Sequence, residues 1–302
     1  MAFEGSHSLW RRCVDTGFLV LGAVLIALSL GVLVTLVAEL IMDSAGRLNW
    51  QFVSSFPSRF AERAGAKSAI VGTCLVMLVT ACTALPLGVA SGVYLEEYAP
   101  RNWLTVLIEI NIANLAGVPS IIWGLMALGL LVYQLHLGHS ILTAGLTLGL
   151  LVLPIVIVST RESIRAIPNG IREAAYALGA TRWQTVWHHV LPYSTSGILT
   201  GAIIAMSRAI GETAPLVTIG ALAYIGFLPP GPVTQQPPYV SFEWLSSNFT
   251  VLPIQMYQWV SRPNPDFHAN AAAAGVVLLI ITLTMNALAI GLRYRSRRRL
   301  SW

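Results

Sequence analysis

Arg208 and Glu212 stand four residues apart in a run, 196–224, that holds no other charge. A charge inside a membrane costs roughly 2.5–3.5 kcal/mol on insertion scales, so it marks either a functional site or a packing device. On a helix the two side chains share a face one turn apart. A guanidinium there offers a planar fork of donors that matches an oxyanion. Glu212 would hold that fork and weaken its grip, because a pathway that binds too tightly does not release. With the helix starting near Ser196, Arg208 lies about 18 Å along it at ~1.5 Å per residue, close to the middle of a hydrocarbon core about 30 Å thick. Thr213 follows, and Pro215 removes a helix hydrogen bond, which is expected to bend or gate the helix just beyond the pair. The plainer reading is an ion pair that only fixes helix packing.

A second group of residues suits docking rather than binding of a small ion. Arg172-Glu173-Ala174-Ala175-Tyr176-Ala177-Leu178-Gly179-Ala180-Thr181-Arg182-Trp183 is helix-prone, follows Pro168-Asn169-Gly170 and precedes Leu191-Pro192. Ala174, Ala175 and Leu178 are expected on one face, and with Gly179 they leave room for a partner to approach closely. The chain lacks a G-x-x-x-x-G-K-[ST] phosphate-cradling loop; its single lysine, Lys67, follows Gly65-Ala66. No cofactor is expected on this chain, and any ATP and magnesium would belong to another one. The three cysteines, Cys13, Cys74 and Cys82, show no metal-ligand spacing, and no metal site is expected.

The elements that must position these residues are membrane helices. The 302 residues are 55% hydrophobic and 10% charged, against roughly 25% charged in soluble domains, and mean hydropathy is +0.70. Runs near the roughly 20 residues that span a bilayer lie at about 17–40, 68–95, 107–135, 140–160, 196–224 and 270–292. The reading is an all-α polytopic membrane protein of about six transmembrane helices, with a cytoplasmic N-terminal segment 1–16 and a transmembrane domain 17–302. The first run is too long for a signal-peptide core, so it is expected to be a retained helix. Of the 17 arginines and one lysine, twelve fall in the segments 1–16, 96–106, 161–192 and the tail, and five in the alternate segments. That asymmetry places both termini and the 161–192 loop in the cytoplasm, although Arg47, Arg59, Arg63 and Lys67 make the first outer loop unusually basic. The long outer loop 226–269 holds eight of the sixteen prolines; it either docks or gates, or simply caps the surface. Gly88/Gly92, Gly145/Gly149 and Gly197/Gly201 are small-xxx-small pairs expected to bring helices together. The net charge of +5 has no basic stripe interleaved with aromatics, so nucleic acid is not expected as a partner.

Glu173-Ala174-Ala175, then Gly179, then Leu191-Pro192, resembles the EAA loop of ABC importer permeases. The string from Arg208 through Glu212, Thr213 and Pro215 to Leu216 resembles the signature of phosphate importer permeases of the PstA type. Similar stretches are Gly117 to Leu125 and Thr250 to Pro253 with Tyr257, and the Ala214-Pro215-Leu216 element favours PstA over its partner permease. The resemblance implies a type I (MetI-like) ABC importer permease fold in the bacterial cytoplasmic membrane. It implies that Arg172, Glu173, Ala174, Ala175, Leu178 and Gly179 form the coupling helix. The partners implied are a second phosphate permease subunit, a cytoplasmic ATPase dimer and an external phosphate-binding protein, with membrane lipid around them. Competing readings are a permease for another oxyanion such as sulfate or molybdate, an ion-coupled secondary transporter with Glu212 as its proton site, and a membrane sensor or scaffold.

Overall fold

The computed structural model describes residues 4–231, 239 and 241–298. Positions 232–238 and 240 of the 226–269 loop, and the tail from Arg299, lie outside the described residues. Twelve helices follow in order: α1 (Glu4–Ser44), α2 (Trp50–Ser54), α3 (Lys67–Val93), α4 (Trp103–Leu115), α5 (Ser120–Ala127), α6 (Ile141–Arg165), α7 (Asn169–Ala177), α8 (Arg182–Thr185), α9 (Leu191–Gly211), α10 (Ala214–Thr218), α11 (Leu252–Val260) and α12 (Asp266–Arg298). Wider π turns extend α3 through Tyr94–Tyr98 and α5 through Leu128–Gln134, and join α8 to α9 through Val186–Val190.

Among the described residues five helices are long and apolar enough to cross a membrane, and α4 with the extended α5 forms a pair bent by 106°, the geometry of a broken span or a re-entrant loop. The sequence read 107–135 as one run, and the structure breaks it. The cause is local: Gly117 closes a turn on the Asn114 carbonyl, and Pro119 takes an extended ψ of 135°. A proline has no N–H and its ring clashes with the carbonyl four residues back, so the helix restarts at Ser120.

Lipid cannot drive helices together by hydrophobicity, so close backbone approach must do it. The three glycine pairs do this, with α6 at the centre. A methyl group on Gly88 would sit 2.6 Å from Val156 Cγ1, and one on Gly92 would sit 2.7 Å from Thr160 Cβ. Gly145 and Gly149 of α6 meet Val79 and Thr83 of α3, while Gly197 and Gly201 of α9 meet Ser163 and Ser159 of α6. The resulting core includes Val76, Leu148, Val152, Val156, Ala205 and Ala209. By contrast, the Val14–Ser44 span has none of its most apolar window buried; among the described residues α1 packs chiefly on α12, where Leu40 meets Gly275.

A second core forms at the end remote from α7. Trp259 of α11 is fully buried and packs on Phe52 of α2 with ring centroids 5.8 Å apart. The Leu252 N–H donates to Thr73 Oγ1 of α3 at 2.9 Å, and Ile141 N–H donates to the Ser247 carbonyl at 3.0 Å. The described part of the long loop from Glu243 onward therefore closes this end of the bundle. Arg47 is drawn into the same closure. Its Nε donates to Asn270 Oδ1 at 2.6 Å, and its terminal nitrogens donate to the Glu62 and Ala64 carbonyls. Burial pushes its pKa below the ordinary arginine value, with Glu62 pulling the other way. This is one reason the segment between α1 and α3 is so basic: Arg47 is a structural clamp.

Candidate functional site

Arg208 sits in the last turn of α9, and its Nε lies 3.3 Å from Glu212 Oε1. The pair expected at (i, i+4) is therefore formed, but not inside a continuous helix. The helix ends at Gly211, and Glu212 already has extended backbone (φ −79°, ψ 118°). The physical reason is Pro215, whose ring would clash with the Gly211 carbonyl in a continued helix. Pro215 thus does not bend α9; it stands buried at the start of a new short helix, α10, with Thr213 as the residue before it. The helix also begins earlier than Ser196. Counted from Leu191, Arg208 lies about 26 Å along a helix about 31 Å long, nearer the end remote from α7 than the middle. A cation in the last turn of a helix faces the negative end of its dipole.

Two interrupted spans meet here. Gly124 of α5 packs directly on Pro215 and Thr218 of α10, so closely that a side chain at 124 would overlap Thr218 Oγ1. The turn after α10 is pinned by His139, whose Nδ1 donates to the Ile219 carbonyl at 2.6 Å. Arg208 itself is 37% exposed and Glu212 20%. Only Nε of Arg208 has a partner among the described residues. Its two terminal nitrogens carry four N–H donors without a partner among the described residues.

The predicted docking helix forms as α7. Its burial differs from the expected small face: Ala175 is packed inward at 6% exposure, while Leu178 is 89% exposed and Glu173 and Ala174 are open. Gly179, exposed just beyond α7, has a conformational role of its own. It has φ +85°, and the Gly179 and Ala180 N–H groups donate back to the Tyr176 and Ala175 carbonyls, a left-handed stop that glycine adopts without a side-chain clash. Thr181 and Gln184 then form a capping box that starts α8.

Arg172 fixes α7 to the bundle. Its Nε and Nη2 donate to Glu97 Oε1 at 2.9 and 2.7 Å, and it also reaches the Ile164 and Ile167 carbonyls. Beside it Arg161 pairs with Glu109 at 2.6 Å and Glu96 at 3.5 Å, and Arg165 pairs with Glu96 at 3.0 Å. Glu96, Glu97, Glu109 and Arg161 were not picked out as site residues from the sequence. The available signal was the adjacent acid pair in Tyr94-Leu95-Glu96-Glu97-Tyr98, placed where a span ends beside an arginine-bearing loop. Breaking one partner of such a shielded pair leaves an uncompensated charge, so the network ties the docking helix stiffly to α3, α4 and α6.

The fold and site define a class: a polytopic helical bundle with two interrupted apolar runs and a short helix held to one end by ion pairs. Residues 84–302 match the family described as the binding-protein-dependent transport system inner membrane component, and the chain belongs to that family. It is therefore a permease component of an ABC-type transport system. It is 34% identical over 215 residues to the "Probable ABC transporter permease protein YqgI" of Bacillus subtilis, covering 70% of this chain and 72% of that protein. It is 31% identical over 245 residues to the "Phosphate transport system permease protein PstA" of Mycobacterium leprae, covering 81% and 75%. The fold is that of the permease chain in an inward-facing structure of the MetNI methionine ABC transporter. The TM-score there is 0.56 at 18% identity, over 78% of this chain and 95% of that one.

Proposed function

We propose that the chain is the PstA-type permease subunit of an ATP-driven importer of inorganic phosphate. It forms the pathway with a second, different permease subunit. A cytoplasmic ATPase dimer binds ATP and magnesium and seats on α7, and an external phosphate-binding protein delivers the anion. Both termini lie in the cytoplasm, as the basic asymmetry of the loops favours. The observation that carries the reading is Arg208, a guanidinium held by a single carboxylate contact at the junction of two interrupted helices, with its remaining donors open. Phosphate carries one or two negative charges near neutral pH, and such donors replace its water shell. Glu212 limits how tightly the anion is held.

The test is uptake of radiolabelled phosphate by cells lacking other phosphate importers. Arg208→Gln is expected to abolish uptake while the complex still assembles. Arg208→Gln with Glu212→Gln removes both charges and with them any structural complaint. The double variant is expected to assemble and still fail to transport. Recovery of uptake in the double variant overturns the pathway role of Arg208.

A further inference from the structure

At the α7 end of the bundle an apolar groove and a charged cleft share a wall. The groove, about 740 Å³, runs between the end of α3 and the start of α9, with Leu85 and Val89 on one side, Trp183 and Trp187 at its mouth, and Ile198 and Ala202 on the other side. Eleven residues separate Leu191 from Ala202, so the groove extends about 16 Å along α9. That is half of a hydrocarbon core about 30 Å thick, the depth of one leaflet. Trp183 and Trp187 stack with centroids 5.5 Å apart and are 63% and 55% exposed; such rings settle at the headgroup level of a bilayer.

The charged cleft, about 830 Å³, is lined by Glu96, Glu97, Arg101, Arg165, Arg172 and Arg182 among others. Four guanidiniums face two carboxylates. Glu96 is already held by Arg161 and Arg165, and Glu97 by Arg172. Arg101 and Arg182 make no ion pair or hydrogen bond among the described residues, so the cleft carries a surplus of positive charge. Tyr98 lines both groove and cleft, and its hydroxyl is shielded from solvent without a hydrogen-bond partner among the described residues. Both walls include a π turn, Tyr94–Tyr98 and Val186–Val190, a local widening often found at functional positions.

We propose that groove and cleft together bind one anionic phospholipid, with its phosphate in the cleft at Arg101 and Arg182 and an acyl chain laid between α3 and α9. Bound there, the lipid braces the junction of α8 with α9, the stretch through which movement of α7 reaches the Arg208 helix. A partner-subunit helix would also cover the apolar groove, but it gives no reason for the unpaired arginines in the adjoining cleft. The inference does not depend on which substrate is carried.

The experiment is native mass spectrometry of the full chain, with the subunits that copurify, after exchange into dioleoyl phosphatidylglycerol or dioleoyl phosphatidylcholine. Near a membrane surface each basic residue is worth about fivefold in affinity for an anionic lipid, so the anionic lipid is expected to be retained about 25-fold better. Arg101→Gln with Arg182→Gln is expected to bring that ratio to about one, since both preferences are lost. Ala202→Trp is expected to lower retention of both lipids. If it fails to assemble, the arginine pair decides alone, because those side chains are exposed and make no bond among the described residues. Equal retention of the two lipids, or a preference that survives the double substitution, overturns the proposal. Displacement of the lipid by excess inorganic phosphate overturns it in favour of a free-anion site. A disulfide or crosslink from Trp187→Cys to another subunit, with no lipid retained, overturns it in favour of a protein contact.

Discussion

Leu178 ends α7 with 89% of its surface open, an expensive place for a leucine unless something covers it. If the ATPase cleft covers it, Leu178→Ala removes three buried carbons, each worth about 0.8 kcal/mol. Full covering then gives a loss of about 2.4 kcal/mol, and half covering about 1.2 kcal/mol. The corresponding loss of affinity for the ATPase subunit is about 8- to 60-fold. The permease itself should be undisturbed, because the side chain touches little of its own chain and alanine is the best helix former. The assay is equilibrium binding of purified ATPase subunit to the permease pair in nanodiscs, alongside ATP-dependent uptake. Affinity within twofold of the parent, with normal coupling, would refute the docking role of this face. Ala175→Asp is a poorer probe than its sequence position promised. Ala175 faces the bundle, so a carboxylate there is buried without a partner and disturbs assembly before it can report on docking.

Gly179→Ala is expected to cost about 1 kcal/mol of local stability, because a left-handed residue with a Cβ is strained. Gly179→Asn should cost less, and hydrogen exchange across residues 171–185 reads the difference; equal protection in all three proteins would contradict the helix-stop role. Arg47→Ala is expected to lower the thermal stability of the bundle by about 2–4 kcal/mol, since Asn270 and the Glu62 and Ala64 carbonyls lose a charged donor. An unchanged melting curve would show that Arg47 is dispensable as a clamp. For topology, a reporter fused after Trp302 is expected in the cytoplasm and one inserted near Gln235 outside it, positions that both lie outside the described residues. An inside location at Gln235 would show that the spans are miscounted.

Much of the architecture was written in the sequence because a bilayer imposes it. Uncharged runs of spanning length must be helices, since no water is present to satisfy a bare backbone, and the spacing of Gly88/Gly92, Gly145/Gly149 and Gly197/Gly201 announced where helices meet. The helix at 169–177 and the Arg208–Glu212 pair were legible for the same reason: both are local patterns. Hydropathy, being an average over a long window, hid the two interruptions. Pro119 and Pro215 were visible, but whether a proline bends a span or ends it depends on neighbours such as α5 and α10, which support each other through Gly124. Which face of α7 is open was also undecided, because Ala174 and Ala175 are chemically alike and only the packing of Ala175 against the bundle separates them. The pairing of Glu96, Glu97 and Glu109 with arginines more than fifty residues later could not be read from spacing at all. Only the folded chain brings those charges together, and it leaves Arg101, Arg182 and the outer donors of Arg208 without partners, because no carboxylate of the described chain reaches them.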